Sequence, residues 1–263
     1  MGASTEPPIT VATLEAYIET ADTIWRQWCE RSAFIAEVWY RGQPDSRWNL
    51  SPGIHRPPYS KVSEHRYRHD FRLRALPFLG EATTHPASEW DWYFLMQHHG
   101  IPTRLLDWSE SALVALYFAI GRPPDDTDGA VWVLMPRAVN RELAKVGDFI
   151  PIYSDQIVAP YLGQMWDESL IGPERPIAID PPYNSRRLAA QRGKFTVHGS
   201  SQKNLDGYEE LAGSLRRIQI PRSAKPRLRR QLFAAGITES VLFPGLDGLS
   251  REIRDAYATL WVL

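Results

Sequence analysis

Apolar residues recur along the chain at two spacings, and the switches between them outline its elements. Leu14, Tyr17, Ile18, Ala21, Ile24, Trp25 and Trp28 repeat every three or four positions, which predicts an amphipathic first helix. From Phe34 to Gly42 the spacing drops to two. Phe34, Ala36, Val38 and Tyr40 fall on one face of a strand, and Ile35, Glu37, Trp39 and Arg41 on the other. Residues 52–62, rich in proline and polar groups, read as loop. A basic helix follows, in which Lys61, Arg66, Arg68, Arg72 and Arg74 outnumber Glu64 and Asp70, with Tyr67, Phe71 and Leu73 for apolar contact.

Ser88 is placed to cap a helix carrying Trp90, Tyr93, Phe94 and Met96, and Gly100 to end it in the left-handed region. Gln97, His98 and His99 then fall in its last turn. The string IPTRLLDWS runs extended out of Pro102, with Asp107 or Ser109 as cap for the next helix. That helix, ESALVALYFAI, is apolar on nearly every face and must be buried. Strands are predicted over 129–135, around Phe195 and Val197, over 215–221, and over 237–244, where the strand carries Glu239. A basic helix from Ala224 to Ala235 stops at Gly236, and a last helix from Leu249 sets Ile253, Ala256, Tyr257 and Leu260 on one face. Residues 136–186 show no clear pattern. The expected fold is α+β: a helical segment, 1–33, packed on a single domain, 34–263, whose central mixed or antiparallel sheet is flanked by helices.

Composition narrows the classes. With 43% hydrophobic and 23% charged residues the chain is an ordinary globular one, and a net charge of −1 argues against a surface that coats nucleic acid or membrane. The single cysteine, Cys29, excludes an internal disulfide and a multi-cysteine zinc site, which fits a reducing cytoplasm. The longest apolar run, Ala112 to Ile120, is too short to cross a bilayer, so a cytoplasmic protein with no membrane partner is expected. Ten Trp and eleven Tyr either fill the core or line a pocket that stacks a planar ligand.

Several residues carry candidate chemistry. Arg41 ends a mostly apolar strand beside Gly42, so its guanidinium is either paired with a carboxylate or aimed at an anionic ligand. The basic helix is a solvated face or a patch that tracks phosphates. His98 and His99 suit the negative end of a helix dipole; as neighbours they cannot share one helix face, so no zinc site is predicted. Arg104 and Asp107 can form a structural pair. There is no phosphate-binding glycine loop, dinucleotide fingerprint, zinc-protease histidine pair or nucleophile elbow.

YRG at 40–42, together with QHHGIPTRLLDWSESALVALYFA at 97–119, resembles the FRG domain family, whose members occur in bacterial and phage-related proteins. QRGKF at 191–195 and ITESVLFPGLDGL at 237–249 extend the resemblance. The order of an arginine strand, a hydroxyl-bearing strand leading into an alanine-rich buried helix, and a late glutamate before Val-Leu-Phe-Pro is in turn similar to the ADP-ribosyltransferases. That resemblance implies NAD as substrate, with Arg41 on its phosphates or ribose, and Thr103 and Ser109 with the following helix framing the nicotinamide pocket. Tyr40, His99, Arg104, Asp107 and Trp108 join them as candidate cofactor-binding residues. Glu239 would hold the ribose 2′-hydroxyl, but Ser240 separates it from the Val-Leu pair and shifts it to the other face of its strand, which makes Gln191 the fallback.

The expectation is a transferase that moves ADP-ribose from NAD to a protein or nucleic-acid acceptor. It would act as a toxin or phage-defence effector, with an antitoxin or defence-system partner and without a metal. Two alternatives stand beside it. In a nucleic-acid-binding or cleaving module, the basic helix and Arg227, Arg229 and Arg230 would grip phosphates while His98 or His99 served as general acid or base. In a non-catalytic interaction domain, the polar strings would be structural networks.

Overall fold

A computed structural model describes residues 8–31, 35–61, 63–79, 86–122, 125–166 and 171–260. One mixed seven-stranded sheet, flanked by helices, organises them. Its strands are β1 (Ile9–Thr10), β2 (Trp39–Gln43), β3 (Leu105–Ser109), β4 (Gly129–Leu134), β5 (Ile177–Ile179), β6 (Gly193–Val197) and β7 (Leu215–Ile220), in the order β1-β7-β4-β2-β3-β6-β5. β1 runs parallel to β7, and every other pairing is antiparallel.

The sheet is nearly two sheets. β2 pairs with β4 along its whole length, Trp39 opposite Leu134 through Gln43 opposite Ala130, and β3 pairs with β6 from Leu105 opposite Val197 to Ser109 opposite Gly193. Between these two ladders the strands β2 and β3 meet at the single pair Tyr40 and Ser109. Beyond that pair they part, with Arg41 on one lip of the gap and Asp107 on the other.

Three apolar clusters hold the halves in place. Helices α1 (Leu14–Arg31), α4 (Ala112–Ile120) and α8 (Lys225–Ala234) bury Tyr17, Trp28, Leu116, Ile120 and Leu228 against Tyr40, Val131, Val133 and Ile218. Across the sheet, Trp39, Trp108 and Trp132 pack with Leu50, Leu106, Leu205 and Leu211. The third cluster joins helix α3 (Glu89–His98), through Trp90, Tyr93, Phe94 and Met96, to Leu105, Phe195, Val197, Ile177 and Ile179. Most of the surplus aromatics are therefore core.

Gly42 explains the glycine that follows Arg41. Helix α4 lies so close on β2 that a Cβ at Gly42 would stand 1.8 Å from the Ala115 carbonyl oxygen and 2.5 Å from the Ala119 amide nitrogen. What approaches this backbone is the buried helix, whose small residues permit the contact.

Local signals produce most of the remaining helices. Ser88 caps α3 in a reciprocal capping box with Asp91, and Gly100 follows at φ 79°. The basic helix is α2 (Glu64–Ala75). The unpatterned middle third holds α5 (Pro136–Ala138), a π-helical stretch at Val139–Ala144, α6 (Ala159–Trp166), β5 and α7 (Arg186–Ala190).

Four expectations are corrected. The strand begins at Trp39, and Phe34 lies outside the described residues. Ser111 caps α4, in place of Asp107 or Ser109, which belong to β3. The last helix, α10 (Leu246–Leu260), starts earlier than Leu249. Residues 237–244 form no strand: Glu239 opens the short helix α9 (Glu239–Leu242). The Leu242 and Phe243 amides donate to the Thr238 and Glu239 carbonyls at 3.1 and 2.8 Å, closing a helical turn. Among the described residues no helix is long and apolar enough to cross a membrane.

Gly42→Ala is expected to lower stability by about 3 kcal/mol, at the upper end of overpacking costs, because backbone atoms on α4 cannot yield as a side chain can. Thermal melts of the variant and wild type check this; an unchanged midpoint would contradict the packing described.

Candidate functional site

Where β2 and β3 part, the chain builds two adjoining cavities. The larger, about 650 Å³, is lined by Phe94, Gln97, His98 and His99 of the α3 end, by Asp107, and by Ser185, Arg187 and Gln191 around α7. The smaller, about 190 Å³, lies among Arg41, Gly53, Arg56, Tyr59, Pro102 and Asp107. Gln97 and Asp107 line both cavities and form the wall between them.

That wall is held from three directions. Gln97 Nε2 donates to both carboxylate oxygens of Asp107, at 2.9 and 3.0 Å. Thr103 Oγ1 donates to Gln97 Oε1 at 2.5 Å and accepts from the Leu105 amide, which fixes which end of the amide faces the acid. From β2, Arg41 Nη1 donates to the Asp107 carbonyl at 2.6 Å and stands 3.6 Å from its carboxylate. Burial pushes the Arg41 guanidinium down to about 10, with Asp107 opposing that shift and Arg56 adding to it. Asp107 itself keeps 56% of its side chain exposed, so its carboxylate remains open to a ligand.

Behind the smaller cavity lies a second polar layer. His55 and His198 meet edge to face with ring centres 6.2 Å apart. His198 Nε2 is 3.5 Å from Thr196 Oγ1, which accepts a hydrogen bond from Trp108 Nε1. Burial, with His55, Arg41 and Arg104 nearby, depresses His198 to about 3; burial and Arg104 depress His55 to about 4. Among the described residues, Arg41 Nε and the Nδ1 atoms of His55 and His198 are buried without a hydrogen-bond partner.

The residues singled out from sequence divide into groups. Arg41, Asp107, His99 and Gln191 line one cavity or the other. Thr103 and Ser109 act one layer back, Ser109 Oγ donating to the Gln191 carbonyl at 2.7 Å and so tying the end of β3 to the turn before β6. Tyr40 and Trp108 are buried in the apolar clusters on opposite sides of the sheet and line neither cavity. Arg104 does not pair with Asp107. Its Nε donates to Glu64 at 2.7 Å, and Glu64, raised by burial, also accepts from Tyr93.

Glu239 lies apart from both cavities. It is buried and accepts from the Tyr117 hydroxyl, from Arg122 at 2.5 Å and from Arg251 at 2.6 Å. Burial alone would raise its pKa, but these donors and charges hold it below the ordinary value. The carboxylate thus fastens α4 to α9 and α10. Gln191 touches the same region by donating to the Leu242 carbonyl at 3.0 Å, while still lining the larger cavity.

Sequence reasoning missed Arg56, His55, Arg187 and His198. Arg56 and His55 sit in a proline-rich loop, Arg187 in the short polar segment before β6 and His198 just past the end of β6, where no periodicity marks a functional face; only their side-chain chemistry could have drawn attention. The basic faces that were marked are neutralised only in part. Arg68 and Arg72 pair with Glu89, and Arg229 with Asp125 and the end of α4. Among the described residues no group of three or more His, Cys, Asp or Glu is placed to hold a metal ion.

Residues 36–128, from just before β2 to just before β4, match the family model of the FRG domain. No curated protein and no solved structure matches the chain. Arg41, Arg56, Gln97, Asp107 and α4 fall inside the matched residues, whereas Arg187, Gln191 and Glu239 fall outside them.

His198 makes stability depend on acid in a calculable direction. Its ring is neutral in the folded protein and protonates near 6.5 when unfolded, so protons favour the unfolded chain as pH falls from about 6.5 toward 3. Subtracting the denaturation free energies of His198→Asn from those of wild type isolates this contribution. The difference should decline by about 1.4 kcal/mol per pH unit below 6; a difference independent of pH would refute the buried neutral ring.

Proposed function

From the FRG-domain match at 36–128 and the cavities that open within and beside it, we propose that the protein transfers ADP-ribose from NAD to a macromolecular acceptor, with Asp107 as the acidic group of the site. The single observation that carries this reading is the parting of β2 and β3 after Tyr40 and Ser109, which leaves an exposed, firmly oriented carboxylate on the wall of a 650 Å³ cavity. That volume falls within the range of about 300–1,000 Å³ typical of small-molecule sites.

On this reading the glycosidic bond between nicotinamide and its ribose breaks, and the electron pair leaves with the ring nitrogen. The sugar passes through an oxocarbenium-like state, which the Asp107 carboxylate stabilises electrostatically. Gln97 holds that carboxylate in place, and Arg41 holds the backbone carbonyl of the same residue. Arg187 supplies a cation to the same cavity for the diphosphate. His98, lowered by burial and by the charges of Arg187 and His99, is neutral at pH 7 and available to take the proton released by the attacking acceptor.

The reading keeps NAD from the sequence resemblance, moves the acidic role from Glu239 to Asp107 and the phosphate role from Arg41 to Arg187, and leaves Arg41 as a support of Asp107. The acceptor would be a protein or nucleic acid, in keeping with a toxin or phage-defence effector. The basic helices line neither cavity, and Arg68, Arg72 and Arg229 are engaged by Glu89 and Asp125, so a nucleic-acid-gripping module has less support.

The test is nicotinamide release by the purified protein with cell extract and nucleic acid supplied as acceptors. Wild type should release nicotinamide, and Asp107→Asn should reduce the rate about 100-fold or more while melting normally. Absence of NAD binding and turnover in the folded wild type would overturn the proposal. Glu239→Ala should separate structure from chemistry: a loss of about 3 kcal/mol in stability, since Arg122 and Arg251 lose their shared acid, with the rate at permissive temperature kept within about threefold, a difference under 1 kcal/mol.

A further inference from the structure

The smaller cavity has a charge imbalance that the larger site does not use. Arg41 and Arg56 both line it, and Asp107 is the acid among its lining residues; Arg56 adds to the burial that lowers the proton affinity of Arg41, and burial lowers that of Arg56. Asp107 is also engaged by Gln97. Behind the pocket, Arg104 is balanced by Glu64, so that pair adds no net charge. One positive charge in excess therefore remains in a recess, where an unmatched ion is costly and an anion is the natural partner.

The available donors fit a compact oxyanion. Arg56 directs Nε and Nη2 to one carbonyl, Ser51 O, at 2.8 and 2.5 Å, which fixes the plane of its guanidinium beside the cavity. Arg41 is anchored through Nη1 and has its buried Nε without a partner. A pair of fixed guanidinium planes is the arrangement that recognises phosphate by several hydrogen bonds at once. At about 190 Å³ the space is smaller than pockets for whole drug-sized molecules, which suits a phosphoryl group whose attached organic group extends out of the cavity.

We propose that the cavity between Arg41 and Arg56 is a binding site for a phosphate monoester, separate from the cavity that would take NAD and joined to it by the Gln97 and Asp107 wall. A phosphorylated group seated there lies across that wall from the larger cavity. The site stands on its own charges and does not require NAD to bind.

Calorimetric titration tests it, with inorganic phosphate, AMP and adenosine as probes. Wild type should bind phosphate; AMP should compete for the same site and adenosine should not. Arg56→Gln should weaken phosphate about tenfold or more, the loss expected for one charge-assisted contact, while leaving NAD binding, where present, unchanged. No phosphate binding to wild type, or equal binding by a folded Arg56→Gln protein, would overturn the site. Phosphate binding without competition from AMP would overturn its assignment to monoesters. Because Arg56 also braces Ser51, a tungstate soak of wild-type crystals provides a check independent of the variant's folding: an anomalous peak between Arg41 and Arg56 supports the proposal, and tungsten bound only elsewhere contradicts it.

Discussion

β2 and β3 share one residue pair, and the site depends on that economy of pairing. Had the ladder continued past Tyr40 and Ser109, neighbouring backbone would have filled the space where Arg41 meets Asp107. Each strand instead completes its hydrogen bonding on its other side, β2 with β4 and β3 with β6. The edges facing the gap are free to present side chains. Arg41 crosses the gap to the carbonyl of Asp107, so a β-sheet defect is closed by a charged side chain rather than by backbone.

Keeping such a gap open requires rigid supports on both sides. On the β2 side, α4 packs backbone to backbone at Gly42, which fixes the height of the strand and with it the position of Arg41. On the β3 side, α3 is bound to the sheet through Phe94 and Phe195, whose stacked rings lie 5.4 Å apart, and delivers Gln97 to Asp107 from its last turn. The polar residues of 97–109 thus lie against buried apolar ones because the two cores supply the stiffness that a cavity wall needs.

Charge is distributed unevenly across this frame. Carboxylates away from the cavities are saturated: Glu64 by Arg104 and Tyr93, Glu239 by two arginines and a tyrosine, Glu89 by Arg68 and Arg72. Asp107 differs in remaining more than half exposed while its orientation is set by neighbours. An acid that is both positioned and accessible can act on a ligand, whereas one enclosed by its own cations stabilises the fold.

Periodicity alone placed α1, α4 and the strands β2, β4, β6 and β7, and periodicity with a capping serine placed α3, since apolar spacing and caps act within a few residues of themselves; the extended run that forms β3 had offered Asp107 and Ser109 as caps of α4, a role that Ser111 takes. The arginine before a glycine and the polar string through Asp107 stood out as candidates because polar groups interrupted an apolar pattern, whereas Gln191 was reached only through the resemblance to the ADP-ribosyltransferases; all three line a cavity. The composition of ITESVLFP suits a strand, yet in the fold it makes a helical turn whose Glu239 receives Tyr117, Arg122 and Arg251, partners that its own stretch of sequence does not name. Tertiary structure likewise decided that Arg104 pairs with Glu64, that Arg41 faces Asp107, and that Arg56 and Arg187 join cavities distant from them in sequence. Such choices belong to long-range electrostatics and packing, in which a charged side chain selects among partners 40 to 120 residues away, and no local pattern encodes which of them the folded chain will bring within reach.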